Sequence, residues 1–407
     1  MALREMDILV VGASGFTGAE VCKRIARAVG AGHWPGLTWG ITGRTREKLE
    51  AKVLRPILQE GLAPPPDSRV IFVENSDATR LREAIGRSRL CLNCTGPYRF
   101  LGEAVVSACV DVGTDYIDLC GEPEFMQRML LNYHEAAQAK GVLVMHACAF
   151  DSVPADIGCL FTARQFKAPS VCSSISSYMT FKAGEAGYSG HATTFEAAVH
   201  GFGSVGELRK LRKEVKEKFP VPRVGPRPVE KIDPFYERGG EIEAFCFKFP
   251  GADAAVVRST QESLASRGQG HALCPHYAAY FTAGDWFNSL SVAIYGGIFQ
   301  TLAKFGWGRN LLLKNPKTFT NGMFSTDGPS EEQMSQASFS ITFLAKGYSK
   351  APVETVSQAS AGRAPIQDEE LGEVDIEKAV EAPSSAVVGE PDISIITRVR
   401  GPEPGEH

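Results

Sequence analysis

The sequence predicts an α/β protein: a Rossmann-type doubly wound parallel sheet, followed by a second α+β domain that carries a mixed sheet. Three observations predict it. Short apolar runs alternate with helix-period stretches through the first 150 residues. A glycine-rich turn, Gly12-Ala-Ser-Gly15-Phe-Thr-Gly18, stands at the first strand-to-helix junction. After about residue 155 the rhythm changes to longer alternating runs with fewer helices between them. The first two are the signature of βαβ units, the third of a sheet with antiparallel pairs.

Taken in order, Asp7–Val11 reads as a strand, Thr17–Val29 as a helix, Leu37–Thr42 as the second strand and Arg46–Glu60 as the second helix. The segment 61–68, with Pro64-Pro65-Pro66, breaks the chain between units. Val70–Val73, Leu90–Thr95, Tyr116–Leu119 and Val142–Met145 continue the strands. Helical patterns at Ala78–Gly86, Glu103–Val112 and Glu124–Lys140 separate them. Beyond, Ser173–Phe181, Glu241–Phe249, Tyr277–Thr282 and Ser338–Leu344 alternate as half-buried strands, with helices at Thr194–Gly201 and Val205–Lys218.

The segment 351–391 holds nine acids against two bases and no aromatic residue. It cannot bury enough apolar area to offset the entropy of ordering it. The expected organisation is therefore 1–155 as a nucleotide-binding domain, 156–350 as a substrate or dimerisation domain, 351–391 as a flexible acidic insertion, and 392–407 as a terminal strand returning to the fold.

Composition narrows the function. The chain has 407 residues, 43% hydrophobic and 22% charged, with a net charge of −4, which excludes nucleic-acid binding by bulk charge. Ten cysteines, most of them single within apolar runs (Cys91, Cys109, Cys120, Cys159), read as reduced thiols of a cytosolic-type compartment. No long apolar stretch precedes Gly12, so no secretory signal is expected. No run of about 20 apolar residues suits a spanning helix. Trp286–Phe305 comes nearest, with Lys304 its one charge and Asn288, Ser289, Ser291, Gln300 and Thr301 interrupting it.

The turn Gly12, Ser14, Gly15, Phe16, Thr17, Gly18 is read as a pyrophosphate cradle. Glycines let the backbone turn tightly and approach the anion, and the helix N-terminus then faces it with free N–H groups. The second strand ends at Thr42-Gly43-Arg44, where an NAD site would place a carboxylate for the ribose hydroxyl. A guanidinium suits a 2′-phosphate, so NADP(H) is the expected cofactor.

Two more loops follow strands of the same sheet. In Asn93-Cys94-Thr95-Gly96-Pro97-Tyr98, Thr95, Gly96 and Pro97 would pass close under the cofactor. Tyr98 is either a proton donor beside the nicotinamide or an ordinary turn residue. In Asp118-Leu-Cys-Gly121-Glu122, Asp118 and Glu122 suit scaffold and catalysis equally.

With Phe150-Asp151-Ser152-Val153-Pro154-Ala155-Asp156, these motifs occur in an order that resembles the saccharopine dehydrogenase-like oxidoreductases, a family related to bacterial trans-acting enoyl reductases. The resemblance continues through Gly201-Phe-Gly, Leu208-Arg-Lys-Leu-Arg212, Phe305-Gly-Trp-Gly-Arg309 and Gly401-Pro402. It implies nicotinamide-dependent redox chemistry and lipid association, at membranes or lipid droplets, with a link to glycolipid synthesis. Thr193-Thr194 and Ala197 depart from the Gly-Thr and Ser that the family tends to carry there.

The reading is an NADP(H)-dependent oxidoreductase of a hydrophobic, lipid-derived carbonyl or activated alkene, intracellular, with Tyr98 as first-choice proton donor and Asp118, Glu122 and Asp151 in reserve. A homodimer and a peripheral membrane or lipid-droplet surface are its further partners. The alternatives are a non-catalytic nucleotide-binding protein of such a surface and a true saccharopine-type dehydrogenase. No arginine cluster for two substrate carboxylates supports the latter.

Other constellations are set aside. Tyr178-x-x-x-Lys182 matches a reductase dyad that needs a helix, but its surroundings alternate as a strand. Cys91-x-x-Cys94 lacks a second pair, and the histidines show no metal-ligand spacing. The run Arg209–Lys231, nine bases against three acids, is either a solvated face or a surface for anionic lipid, and Trp286–Phe305 either a buried helix or an insertion element.

Overall fold

The structure is a computed structural model that describes residues 4–150, 152–239, 242–268, 273–350 and 390–401. Asp151, Pro402 and nearly all of the acidic segment lie outside the described residues. The chain divides into two compact units. The first is Met1–Ala149 with Gly190–Leu211 and Ala303–Gly328, and the second is Phe150–Ser189, Arg212–Leu302 and Pro329–His407. Two segments that the linear reading gives to the second domain thus pack with the first unit.

The first unit is built on six parallel strands: β1 (Met6–Val11), β2 (Trp39–Gly43), β3 (Val70–Phe72), β4 (Ser88–Asn93), β5 (Asp115–Asp118) and β6 (Val144–Met145). Their order is β3-β2-β1-β4-β5-β6, so the crossover direction reverses between β1 and β4. In this order a dinucleotide lies across the carboxyl ends of the strands at the reversal.

Why the strands form is plain from their burial. All five residues of β2 and four of six in β1 are buried, as strands covered by helices on both faces must be. Ile41 and Trp39 meet Cys22, Ile25 and Ala26 of the helix Phe16–Gly30 and Leu49, Val53 and Ile57 of the second helical region in one cluster. That region contains a π-helical turn, Glu50–Leu54, between two α-helical pieces. The helix expected over Glu103–Val112 starts earlier, at Tyr98, with Pro97 as its N-cap. Proline at a helix start costs nothing because the first N–H groups have no partner in the helix anyway.

The second unit holds a mixed sheet. Its strands are β7 (Val171–Lys182), β9 (Phe235–Gly239), β10 (Ile242–Lys248), β11 (His276–Thr282), β13 (Ser338–Tyr348) and β14 (Ile393–Arg400), in the order β14-β13-β7-β11-β10-β9. β7 pairs antiparallel with β13 and parallel with β11. The helix Val153–Ala163 packs on this sheet through Gly158, where a Cβ would come within 2.3 Å of the Phe343 ring. Tyr178 and Lys182 lie on β7, and the Tyr178 hydroxyl donates to Glu237 at 2.6 Å.

The helix Trp286–Ala303 is not a core helix. Only Ser289 and Ala303 in it are buried, whereas Phe287 is 69% and Ile294 53% exposed. Among the described residues, no helix is long and apolar enough to cross a membrane.

The two-stranded sheet β8 (Gly190–His191) and β12 (Phe324–Ser325) belongs to the first unit.

Candidate functional site

The glycine turn after β1 is shaped for close approach. Gly12 has φ +79°, in the left-handed region, and a Cβ there would lie 2.4 Å from Thr95 Cγ2. A Cβ on Gly18 would lie 2.3 Å from the Gly12 carbonyl oxygen, so this residue lets helix and turn touch. Gly15 differs: its Cβ would meet nothing nearer than 3.3 Å, and the residue is exposed.

The helix Phe16–Gly30 has no side-chain cap and no acid in its first turn. Its first N–H groups and the positive end of its dipole face outward without an internal ligand. Such a bare helix start behind a glycine cradle fits a pyrophosphate. Thr17 is exposed and Ser14 half-buried at its rim.

Arg44 directly follows β2. It is exposed and makes no hydrogen bond or ion pair among the described residues. Its neighbour Arg46 lies over the Phe72 ring at 5.0 Å and pairs with Glu50 at 3.6 Å. The guanidinium nearest the end of β2 is therefore the one left available for a 2′-phosphate. The residues present fit NADP(H): Gly12–Gly18 would hold the pyrophosphate, Arg44 the 2′-phosphate, and Thr95–Pro97 would line the floor.

That floor is set by β4. Asn93 Oδ1 accepts from both the N–H (3.0 Å) and the hydroxyl (2.5 Å) of Thr95, while Asn75 donates to the same hydroxyl at 3.2 Å. The peptide Gly96–Pro97 is cis. On the other side Phe16 stacks on His191, ring centroids 5.2 Å apart. A Cβ on Gly328 would come within 2.9 Å of Phe16, so the segments inserted into this unit return to the turn.

Tyr98, Asp118 and Glu122 are brought together at the ends of β4 and β5, each already partnered. Tyr98 is buried, donates its hydroxyl proton to the Asn93 carbonyl at 2.9 Å and accepts from Leu119 N–H at 3.3 Å. Burial pushes its phenol far above the ordinary range, with the charge of Asp118 adding to the effect. A phenol so sealed is a poor proton donor to any ligand.

Glu122 accepts from the N–H groups of Tyr98 (2.7 Å) and Arg99 (3.3 Å), and pairs with the Arg99 guanidinium at 3.2 Å. It caps the helix Tyr98–Val112 from another loop. Arg99 also pairs with Glu124 and donates to the His200 carbonyl and the Ser204 hydroxyl, fastening the inserted segment to the sheet.

Asp118, completely buried, accepts the Tyr116 hydroxyl (2.8 Å) and the N–H groups of Cys120 (3.0 Å) and Ala147 (2.8 Å). Its remaining partner is His146, whose Nδ1 lies 2.6 Å away. The sequence reading missed His146 because it sought metal spacing among histidines. The signal was its place, one residue past the last strand of the sheet. Among the described residues no group of histidines, cysteines and carboxylates could hold a metal ion, and all ten cysteines are free.

Comparison with known proteins accords with this geometry. The saccharopine dehydrogenase NADP-binding domain family matches residues 8–145. The rat protein named saccharopine dehydrogenase-like oxidoreductase is 35% identical over 404 residues, 99% of this chain and 85% of its own. Its human namesake is 37% identical over 350 residues, 85% of this chain and 80% of its own. A Caenorhabditis elegans protein named lipid droplet localized protein is 31% identical over 345 residues, 84% of this chain and 79% of its own. Identity at this level across both units places the chain in a family as a whole: it belongs to the saccharopine dehydrogenase-like oxidoreductases and carries their NADP-binding domain.

Proposed function

We propose that the chain transfers a hydride between NADP(H) and a hydrophobic, lipid-derived carbonyl or activated alkene, and that it does so at a lipid surface. When bound, the cofactor supplies the hydride; the chain's own residues hold it, orient it and provide the proton.

The observation that carries the lipid part is the helix Trp286–Ala303. It has 18 residues and no charge, and exposes Trp286, Phe287, Leu290, Ile294, Tyr295 and Ile298. Contiguous apolar exposure on this scale suits a lipid monolayer or membrane interface better than water. Ion attraction adds to it: the helix Val205–Lys218 carries Arg209, Lys210, Lys213, Lys216 and Lys218 and buries only Val215. Each basic residue near an anionic surface contributes about 1 kcal/mol. The name of the worm relative agrees with this reading.

The test is nicotinamide redox turnover by the full chain, read as NADPH oxidation with hydrophobic enones and lipid ketones and as NADP+ reduction with saccharopine, each offered with anionic vesicles. Turnover of an enone or lipid ketone that rises with vesicle binding is expected. Turnover of saccharopine alone, or no pelleting of the folded protein with anionic vesicles at low salt, would defeat it.

A further inference from the structure

The pair Asp118–His146 is built with more care than a scaffold contact needs. Asp118 takes a hydroxyl and two backbone N–H groups besides the imidazole, which fixes both of its oxygens. The Asp118 carbonyl also accepts Cys148 N–H at 2.7 Å, so the chain leaving β6 is clamped over the end of β5. To reach that clamp Ala147 adopts φ +59°, a left-handed conformation that a residue with a Cβ rarely takes. Backbone held in such a conformation by its neighbours is found most often where a side chain must be aimed.

The clamp also sets the ring's tautomer. A carboxylate offers no proton, so Nδ1 donates to Asp118 and the second nitrogen, Nε2, is left for exchange with a ligand. Nothing among the described residues hydrogen-bonds Nε2. The side chain is 11% exposed, held edge-on by the rings of Tyr116 (5.6 Å) and Phe125 (5.3 Å).

The groups facing it are Asp118 and Tyr116 of β5, Phe125 of the helix Pro123–Lys140, and Cys148 on its own loop. Burial pushes the Cys148 thiol to about 11 and the Tyr116 phenol well above its ordinary range, so neither exchanges protons near neutral pH. A hydrogen-bond chain, Asn93 to Tyr116 (3.1 Å) to Asp118, links the imidazole to the floor beneath the cofactor. All of these lie at the carboxyl edge of one sheet, where ligands of this fold bind.

We infer that His146 Nε2 is the proton-transfer group of the reaction, with Asp118 as its positioning residue. The inference rests on the NADP(H)-dependent reading above. As a carbonyl carbon receives the hydride, the π electron pair moves onto oxygen. That oxygen takes the proton from Nε2 of the imidazolium, and the neutral ring, still donating from Nδ1 to Asp118, regains a proton from water. For an activated alkene the same proton goes to the enolate. In the opposite direction Nε2 receives it.

The test needs no substrate. NADP+ carries a positive nicotinamide ring and NADPH a neutral one, so a histidine at the reacting centre must titrate differently beside the two. The imidazole of His146, assigned by its absence in His146→Gln, is followed by NMR against pH in the full chain saturated with each cofactor form. The NADP+ complex is expected to titrate lower by about half a pH unit or more. Asp118→Asn is expected to abolish the single Nδ1–H tautomer while NADPH affinity, by calorimetry, stays within about twofold. Coinciding titrations in the two complexes would overturn the inference. Failure of the native chain to bind either cofactor would instead overturn the reading beneath it, and calorimetry alone reveals that. With a turned-over substrate in hand, His146→Gln is expected to lower kcat by about a hundredfold or more and remove one limb of its pH profile; a kcat within threefold of native would also overturn it.

Discussion

Two stretches of the same sheet edge look alike in the sequence and differ in what they do. The edge at β1 and β2 presents bare N–H groups, an exposed Gly15 and an Arg44 that is unpaired among the described residues. The edge at β4 and β5 presents Tyr98, Asp118 and Glu122, all turned to internal partners. Polarity at a strand end therefore does not identify a ligand contact. A polar group whose partners the protein does not supply is free to meet a ligand, and one whose partners are all supplied holds the scaffold or, as Asp118 does for His146, orients a neighbour.

The sharpest way to break this contrast is within the turn. Gly15→Val should abolish NADPH binding, a loss of more than about a hundredfold, with a native far-UV spectrum, because its φ of −72° suits any residue and its Cβ would meet only the Gly12 carbonyl oxygen, at 3.3 Å. Gly18→Val should instead fail to fold, since its Cβ alone would strike the Gly12 carbonyl. Equal folding of the two variants would remove the distinction.

On the partnered edge, Arg99→Met leaves the buried Glu122 without its cation, while Glu124 keeps Arg128 at 2.9 Å. Breaking a buried pair from one side costs about 3–5 kcal/mol, which should appear as a marked fall in Tm. Tyr98→Phe is the gentler probe. It leaves the Asn93 carbonyl and Leu119 N–H short of one partner, for about 1–2 kcal/mol of stability. NADPH affinity should stay within twofold. A variant that folds as well as native yet binds NADPH tenfold more weakly would restore Tyr98 to the site.

These contrasts also mark what the sequence could convey. The βαβ rhythm and the glycine spacing carried the first sheet, because both are local patterns with a local cause. Tyr98 reads as a proton donor or a turn residue since Gly96-Pro97 precedes it, but proline there starts a helix. Glu122 could not be read as the cap of that helix, because a separation of 24 positions says nothing of which loop returns. The helix Val153–Ala163 escaped notice for a similar reason: Pro154 and Gly158 look like breakers until Phe343, far along the chain, is seen to need the space. His146 is legible only by position, one residue past β6, because the spacing of the histidines carries no signal for it.

The Arg44 guanidinium at the end of β2, unpartnered among the described residues, sets the cofactor preference, and titration calorimetry of the full chain with NADPH and NADH tests it. A charge-assisted phosphate contact is worth about 1.5–3 kcal/mol, so NADPH should bind ten- to a hundredfold more tightly, and Arg44→Ala should close most of that gap. Equal affinity for the two nucleotides in the native chain, or a gap that survives Arg44→Ala undiminished, would contradict it.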